Sequence, residues 1–454
     1  MTDTLSQYCA SQPGVSATVR AKVHNHVLDW IGLVAGGRTY AHSSDSVLSA
    51  IAGLASGGIP DGIPVGEHLS VDRAALLSGT LAHSLDFDDT HRSSSLHPGA
   101  PVIAAALPVA IQEQAKSERF LEAISLGYDV TCALGRAINP DAHYARGFHL
   151  TATCGTFGAT AAVGHLKGFD ADTFEMAFGV NGSQAAGSLQ FLENGAWNKR
   201  LHPGLAAQRG MLAGALADAN FRGSADPITG EYGLFHGYTD DPHPALLAQI
   251  EPGAAIQETG LKPYPCCRYM HAGIDGLLEI AELVQPDAIQ TITMDLPGPG
   301  VRLTGSPIDR KRRPTNFVDC QFSAPFAAAL AVTTGEASLQ AFLDAQTALN
   351  DSSLQDVMDR VSVTSTDRTN EVFPEQWTAH VVVEADERYE RFIEHPPGEP
   401  ERPLSQAVIE AKFEELVAET PLAQNVDEII EAVKALGPGT SMENLEHLLT
   451  ASQD

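Results

Sequence analysis

At 454 residues the chain is too long for one compact core, and it predicts two or three domains or one large helical domain with an insertion. Its 28 basic residues stand against 57 acidic ones, a formal net charge of −29; such a surface repels nucleic acid and anionic membrane, so neither is expected as a partner. No run approaches the roughly 18 consecutive apolar residues of a membrane span, and MTDTLSQYCASQ lacks the basic and apolar stretches of a secretory signal, so a cytoplasmic location is expected.

Taken in order, Val19, Val23, Val27, Ile31 and Val34 recur at helical spacing and predict a helix over Ala17–Ala35. Helical patterns continue over Ser46–Ala55 and Val71–Leu85. The next stretch, LAHSLDFDDTHRSSSLHPGAPVIAAA (81–106), places Asp86, Asp88, Asp89, Thr90, His91 and His97 on a loop between two apolar helical runs. Acid and imidazole groups on a loop held by rigid elements on both sides read as a site. A helix follows over Val102–Gln114, and Ser117 reads as the N-cap of a long helix over Arg119–Ile138.

The small residues of Tyr144–Lys167 suit a helix packed tightly inside a bundle, with His149 where that helix begins. Its glycines do not form a dinucleotide fingerprint. Asp172 and Glu175 have the spacing of a capping box for a helix over Phe174–Leu189. In ENGAWNKRLHPGLAAQRG, Lys199, Arg200, His202 and Arg209 make a basic cluster in an acidic chain with eight lysines in all. Pro203-Gly204 predicts the start of a helix over Leu205–Ala219, and a cationic loop at a helix N-terminus is a reasonable anion site.

The composition changes near Gly260. GLKPYPCCRYMH (260–271) holds Lys262, Cys266, Cys267, Arg268 and His271, without the spacing of a zinc or iron–sulfur site. The six cysteines show no disulfide framework and read as free thiols. Beyond a helix at Ala272–Leu283, strand character appears at Ile289–Leu296, Arg360–Thr366 and Ala379–Ala385, around a helical run at Phe322–Val332. PPGEPERPLS (396–405) reads as a linker. Helices then resume at Gln406–Ala418, Val426–Leu436 and Met442–Ala451. The expected organisation is mainly α. Residues 1–264 and 396–454 form one large all-helical domain from both chain ends, and 265–395 form a smaller inserted α+β domain.

In combination and order, LAHSLDFDDTH…HPGAPVIAAAL, RGFHLTATCGTFGA, NKRLHPGLAAQRG, LKPYPCCRYMH and DCQFSAPFAAALA resemble the MmgE/PrpD family, which includes 2-methylcitrate dehydratase, cis-aconitate decarboxylase and iminodisuccinate epimerase. The resemblance runs from about Val19 to Glu419. It implies that the inserted domain is a lid, that the chain is a homodimer, and that a cleft lies between the domains. Matching positions imply catalytic roles for Asp86, His97, His149, Lys199 and Lys262, and a cleft position for Thr90. Arg268, Cys267, His202 and His271 join Thr90 as expected substrate-binding residues.

Family substrates are small di- or tricarboxylates with an acidic proton next to a carboxylate. Removing it builds charge on an already anionic group, so the site needs a base together with fixed cations or donors. Lysine and arginine hold carboxylates, and histidine moves protons near neutral pH. No metal or organic cofactor is expected. The chain departs from the decarboxylase pattern by having Cys267 in place of a histidine and Phe326 in place of a tyrosine, and from the dehydratase pattern by having HPGAP in place of an HPSDN-like run. The expected activity is a 2-methylcitrate dehydratase-like hydro-lyase acting by alpha-proton abstraction. An epimerase of an iminodisuccinate-like dicarboxylate is the first alternative, and a non-catalytic carboxylate-binding protein the second.

Overall fold

The computed structural model describes residues 2–54, 58–59, 61–65, 69–349 and 351–450. It is mainly helical and divides into two compact units, Met1–Gly260 with Ser405–Asp454 and Leu261–Leu404, so the first unit is built from both chain ends.

At the core of the first unit runs the helix Leu150–Lys167, buried from Leu150 to Leu166. It packs against Ser117–Ala137, Asn198–Asp218 and Gly99–Gln112. Its Gly, Ala and Thr content lets backbones approach, while Leu150 and Phe157 are fully buried and contribute about 1.5–3 kcal/mol each. Another close approach joins the helices Val71–Ala82 and Asn198–Asp218: a Cβ on Gly204 would overlap the carbonyl of Leu76. The helix Gln406–Val417, the first after the second unit, returns to lie on Ala17–Tyr40. There the buried Lys412 ammonium pairs with Asp29 at 2.6 Å, donates to the carbonyl of Phe87 at 2.8 Å and sits 3.8 Å from that ring's centroid. A cation from the C-terminal part of the chain thus supports the Asp86–Thr90 loop at Phe87.

Strand structure in this unit is confined, among the described residues, to Thr90–His91 paired with Thr259–Gly260 and to isolated bridges. Several local expectations are corrected. The basic cluster is not on a loop: the helix starts at Asn198 and runs through Pro203. Proline near a helix start forfeits a single backbone bond, here the one to the Lys199 carbonyl. Asp170 rather than Asp172 caps the helix Ala171–Asn181, accepting from the Thr173 amide at 2.9 Å. The cap position before Ser117–Ala137 is Lys116, and the Ser117 hydroxyl instead bonds Gly437 at 3.0 Å. Ala55 and Ala451, the expected ends of two helices, lie outside the described residues.

The second unit holds a four-stranded sheet in the order Val361–Thr364, Thr291–Asp295, Ala379–Glu384, Arg388–Ile393. The first pair is parallel and the others antiparallel. The helices His271–Ala281 and Ala324–Thr334 pack against it. Three strands fall where alternation predicts them. The fourth, RYERFI, is an addition, because its charged and half-exposed side chains hide the strand period.

Candidate functional site

The helix Val71–Ala82 ends at His83, and the chain then turns sharply through Asp86, whose φ of +52° is one that aspartate tolerates better than most residues. This turn presents Asp86 to Lys199, and the two form a short ion pair. Lys199 stands in the first turn of its helix, so the N-terminal dipole and the ammonium act together on an anion.

The same loop fixes two imidazoles. His83 Nδ1 lies 2.7 Å from Asp88 Oδ2. His97 Nδ1 lies 2.6 Å from the carbonyl oxygen of Asp89 and 3.5 Å from Asp88 Oδ2, while its backbone amide donates to Thr151 Oγ1. A carbonyl can only accept, so in the neutral ring Nδ1 of His97 carries the hydrogen and Nε2 the lone pair. Asp89 faces the other way, accepting from Tyr128 at 2.6 Å, from the Gly99 amide at 3.1 Å and from His26 at 3.1 Å. Burial acts to raise its carboxyl, and these bonds outweigh burial and hold it below the ordinary range. Asp89 is therefore a brace that clips the loop to the helix Gly99–Gln112.

His149 is the cap residue of the central helix, with its amide bonded to Gly187 O at 2.8 Å. Its ring stacks 6.0 Å from that of His83, which in turn meets His97 edge-on at 4.8 Å. His202, one turn after Lys199, reaches His149 with Nδ1 facing Nδ1 at 3.1 Å. Phe191 closes one side of this pair. Burial, together with the neighbouring His202, His83 and Lys199, pushes His149 well below the usual imidazole range; burial and Arg209 push His202 down to about 4. Both rings are neutral at physiological pH.

The fold thus brings together Asp86, His97, His149, Lys199 and His202, and adds His83 and Asp88, which the sequence reading did not single out as a pair. Only their separation of five residues across a helix end could have suggested it. Arg200, already part of the basic cluster read from the sequence, lies beside Asp86 as well. Its guanidinium is buried, donates to Ser43 Oγ at 2.9 Å, and is lowered to about 10 by burial, against the pull of Asp86. Thr90 is buried, and its hydroxyl has no hydrogen-bond partner among the described residues.

His83, Asp88 and His97 also place one ligand atom each within 4.8 Å of one another, a grouping that spacing did not reveal. A 2.7 Å contact is a hydrogen bond, and Nδ1 of His97 is committed to a carbonyl, so the donors read as a carboxylate shared by two imidazoles.

The remaining expected residues belong to the second unit. Lys262 is 1% exposed. Cys267 is buried, with its amide bonded to Gln321 O at 2.9 Å. Arg268 donates from Nε at 2.9 Å and from Nη2 to Glu399, and from Nη1 to His271 Nδ1 at 2.9 Å. His271 Nε2 then meets the Cys266 carbonyl at 3.2 Å. Arg268 and His271, expected as substrate contacts, are thus also joined to each other and to Glu399 in a buried network within this unit.

The helical unit thus gathers a carboxylate, a lysine and several imidazoles from one loop and two helices. The chain belongs to the MmgE/PrpD family: the MmgE/PrpD N-terminal domain matches residues 3–247 and the MmgE/PrpD C-terminal domain residues 264–436. It is similar to cis-aconitate decarboxylase of Aspergillus terreus, 26% identical over 231 residues (47% of this chain and 46% of the relative). It is also similar to the cis-aconitate decarboxylase-like protein oryM of Aspergillus oryzae, 27% identical over 295 residues (59% and 60%). The human cis-aconitate decarboxylase is 23% identical over 388 residues (80% and 76%). The match spans about half the length of the Aspergillus terreus relative.

Proposed function

We propose that the protein is a lyase that removes a proton alpha to a carboxylate in a small polycarboxylate, with elimination of water as its reaction. The observation that carries this reading is the loop that holds Asp86 against Lys199 while it commits Nδ1 of His97 to a carbonyl. His97 Nε2 takes the alpha proton. The electron pair forms the carbon–carbon double bond as the carbon–oxygen bond breaks, and the leaving hydroxyl departs with a proton from the His149 side. Charge building on the substrate carboxylate is met by the Lys199 ammonium, whose position Asp86 holds. A preset donor of this kind is worth about 2.7–4 kcal/mol.

Decarboxylation, the activity named for the relatives, is the less favoured outcome, since Cys267 and Phe326 stand where the decarboxylase pattern has histidine and tyrosine. The working form is a homodimer.

Proton NMR in D2O with citrate, 2-methylcitrate, cis-aconitate and iminodisuccinate, at low and high salt, tests the reading. A new vinyl signal with loss of water is the expected result. Deuterium entry at the alpha carbon without elimination selects an epimerase, and loss of carbon dioxide from cis-aconitate selects a decarboxylase. No exchange in any compound, with binding seen by calorimetry, overturns catalysis in favour of a carboxylate-binding protein.

A further inference from the structure

The contact between His149 and His202 has a chemical consequence beyond packing. Two Nδ1 atoms 3.1 Å apart share a single hydrogen: one ring donates and the other accepts. The rings are therefore in opposite tautomers. If His202 donates, His149 has its hydrogen on Nε2; if His149 donates, its Nε2 carries a lone pair. Both rings are buried, at 3% and 6% exposure, and Nε2 of neither has a hydrogen-bond partner among the described residues. His149 is the inner member, in ring contact with His83, whereas His202 lies toward Arg209.

We propose that His149 and His202 form a charge-free proton relay, with the hydrogen between their Nδ1 atoms passing from one ring to the other as a proton enters at His202 Nε2 and leaves at His149 Nε2. The part of the inference that concerns turnover rests on the lyase reading above. In that reaction, His149 gives its Nε2 hydrogen to the departing hydroxyl, making water. The bridging hydrogen shifts from His202 to His149, and His202 Nε2 takes a proton from solvent. Each ring is neutral before and after. His97 returns the abstracted proton to solvent, so one proton is delivered and one released per turnover. The reverse run, with water donating at His149, resets the pair.

The arrangement answers an electrostatic difficulty. A single buried imidazole beside Lys199 makes a poor acid reservoir, because its cation is unfavourable there. Two rings sharing a hydrogen deliver a proton without either becoming a cation. His202 is on this account a positioning and relay residue, not the substrate contact expected from sequence.

Imidazole 15N spectra of histidine-labelled protein at pH 7.5 provide a test that needs no substrate. One ring of the pair is expected as the Nδ1–H tautomer and the other as Nε2–H, with a downfield bridging-proton signal that disappears in both His202→Asn and His149→Asn. Two Nε2–H rings, or a cationic ring, overturn the relay. In turnover, His202→Asn keeps a polar group near the Nδ1 position but cannot pass a proton. It is expected to lower kcat at least about 100-fold while KM stays within about threefold. A kcat within twofold of the parent overturns the relay, and the parent spectra decide the matter if either variant misfolds. If the parent protein turns over no compound, the lyase reading fails on its own and the spectra still judge the relay.

Discussion

Two buried stretches of this chain, the Asp86–His97 loop and the Cys266–His271 segment, use their polar groups in different ways. In the second, Arg268, Glu399, His271 and the Cys266 carbonyl close a ring of donors and acceptors inside one unit. In the first, His91 is bonded through both ring nitrogens, to Ser94 and Glu258, and the imidazoles of the site are oriented through Nδ1. His97 is held through Nδ1, and His149 and His202 through theirs. The comparison separates a brace from a site. A brace spends its polar groups on holding the protein together, whereas a site uses the protein to orient groups that carry chemistry.

The brace offers the larger energetic test. Arg268 and Glu399 are each below 5% side-chain exposure, so removing one strands the other as a buried charge. Arg268→Ala is expected to cost about 3–5 kcal/mol of stability in urea unfolding. Turnover per folded molecule should remain within about threefold. Loss of turnover with unchanged stability would reverse the comparison and return Arg268 to the role of carboxylate clamp.

Lys199→Ala carries the opposite signature. The Lys199 side chain is 19% exposed and that of Asp86 7%, so water replaces part of what Asp86 loses and the stability cost should stay below that of Arg268→Ala. Turnover should fall at least about 100-fold, the scale of losing one preset donor, or roughly 2.7 kcal/mol or more. Near-normal rates in steady-state assays would remove Lys199 from the chemistry and reduce the Asp86 contact to another brace.

What the sequence made legible follows the range of the interactions involved. The helical period of Val19 to Val34 and the alternation at Ala379–Glu384 are local signals, and both elements form where those signals lie. Pro203-Gly204 misleads because the local rule treats it as a break. Tertiary packing of Gly204 against Leu76 instead draws the helix back to Asn198 and carries Lys199 with it. The strand Arg388–Ile393 is hidden by its charges. The contact of His149 with His202 joins residues 53 apart and leaves no spacing to read. Individual site residues were thus visible through motif resemblance, while their pairings and tautomers required the fold.

A third polar cluster lies between the two cases and yields the smallest expected effect. Asp129 is buried and accepts from the Gly253 and Ala255 amides at 2.9 and 3.2 Å and from the Tyr8 hydroxyl at 2.8 Å, all neutral donors. Burial raises its carboxyl to about 7 despite these bonds. A raised carboxyl binds its proton more tightly folded than unfolded, so its contribution to stability is complete below about pH 4 and is lost as pH rises through about 7. Asp129→Asn keeps an acceptor and removes the ionisation. The drop in Tm between pH 5 and pH 8 should therefore be smaller in the variant, by roughly 2–4 °C, equivalent to about 1 kcal/mol. Equal drops in the two proteins would mean that the neutral donors already hold the carboxylate as well as a cation would. Neutral amides could then replace the Lys199 ammonium in the role assigned to it, and the distinction between site and brace would no longer rest on charge.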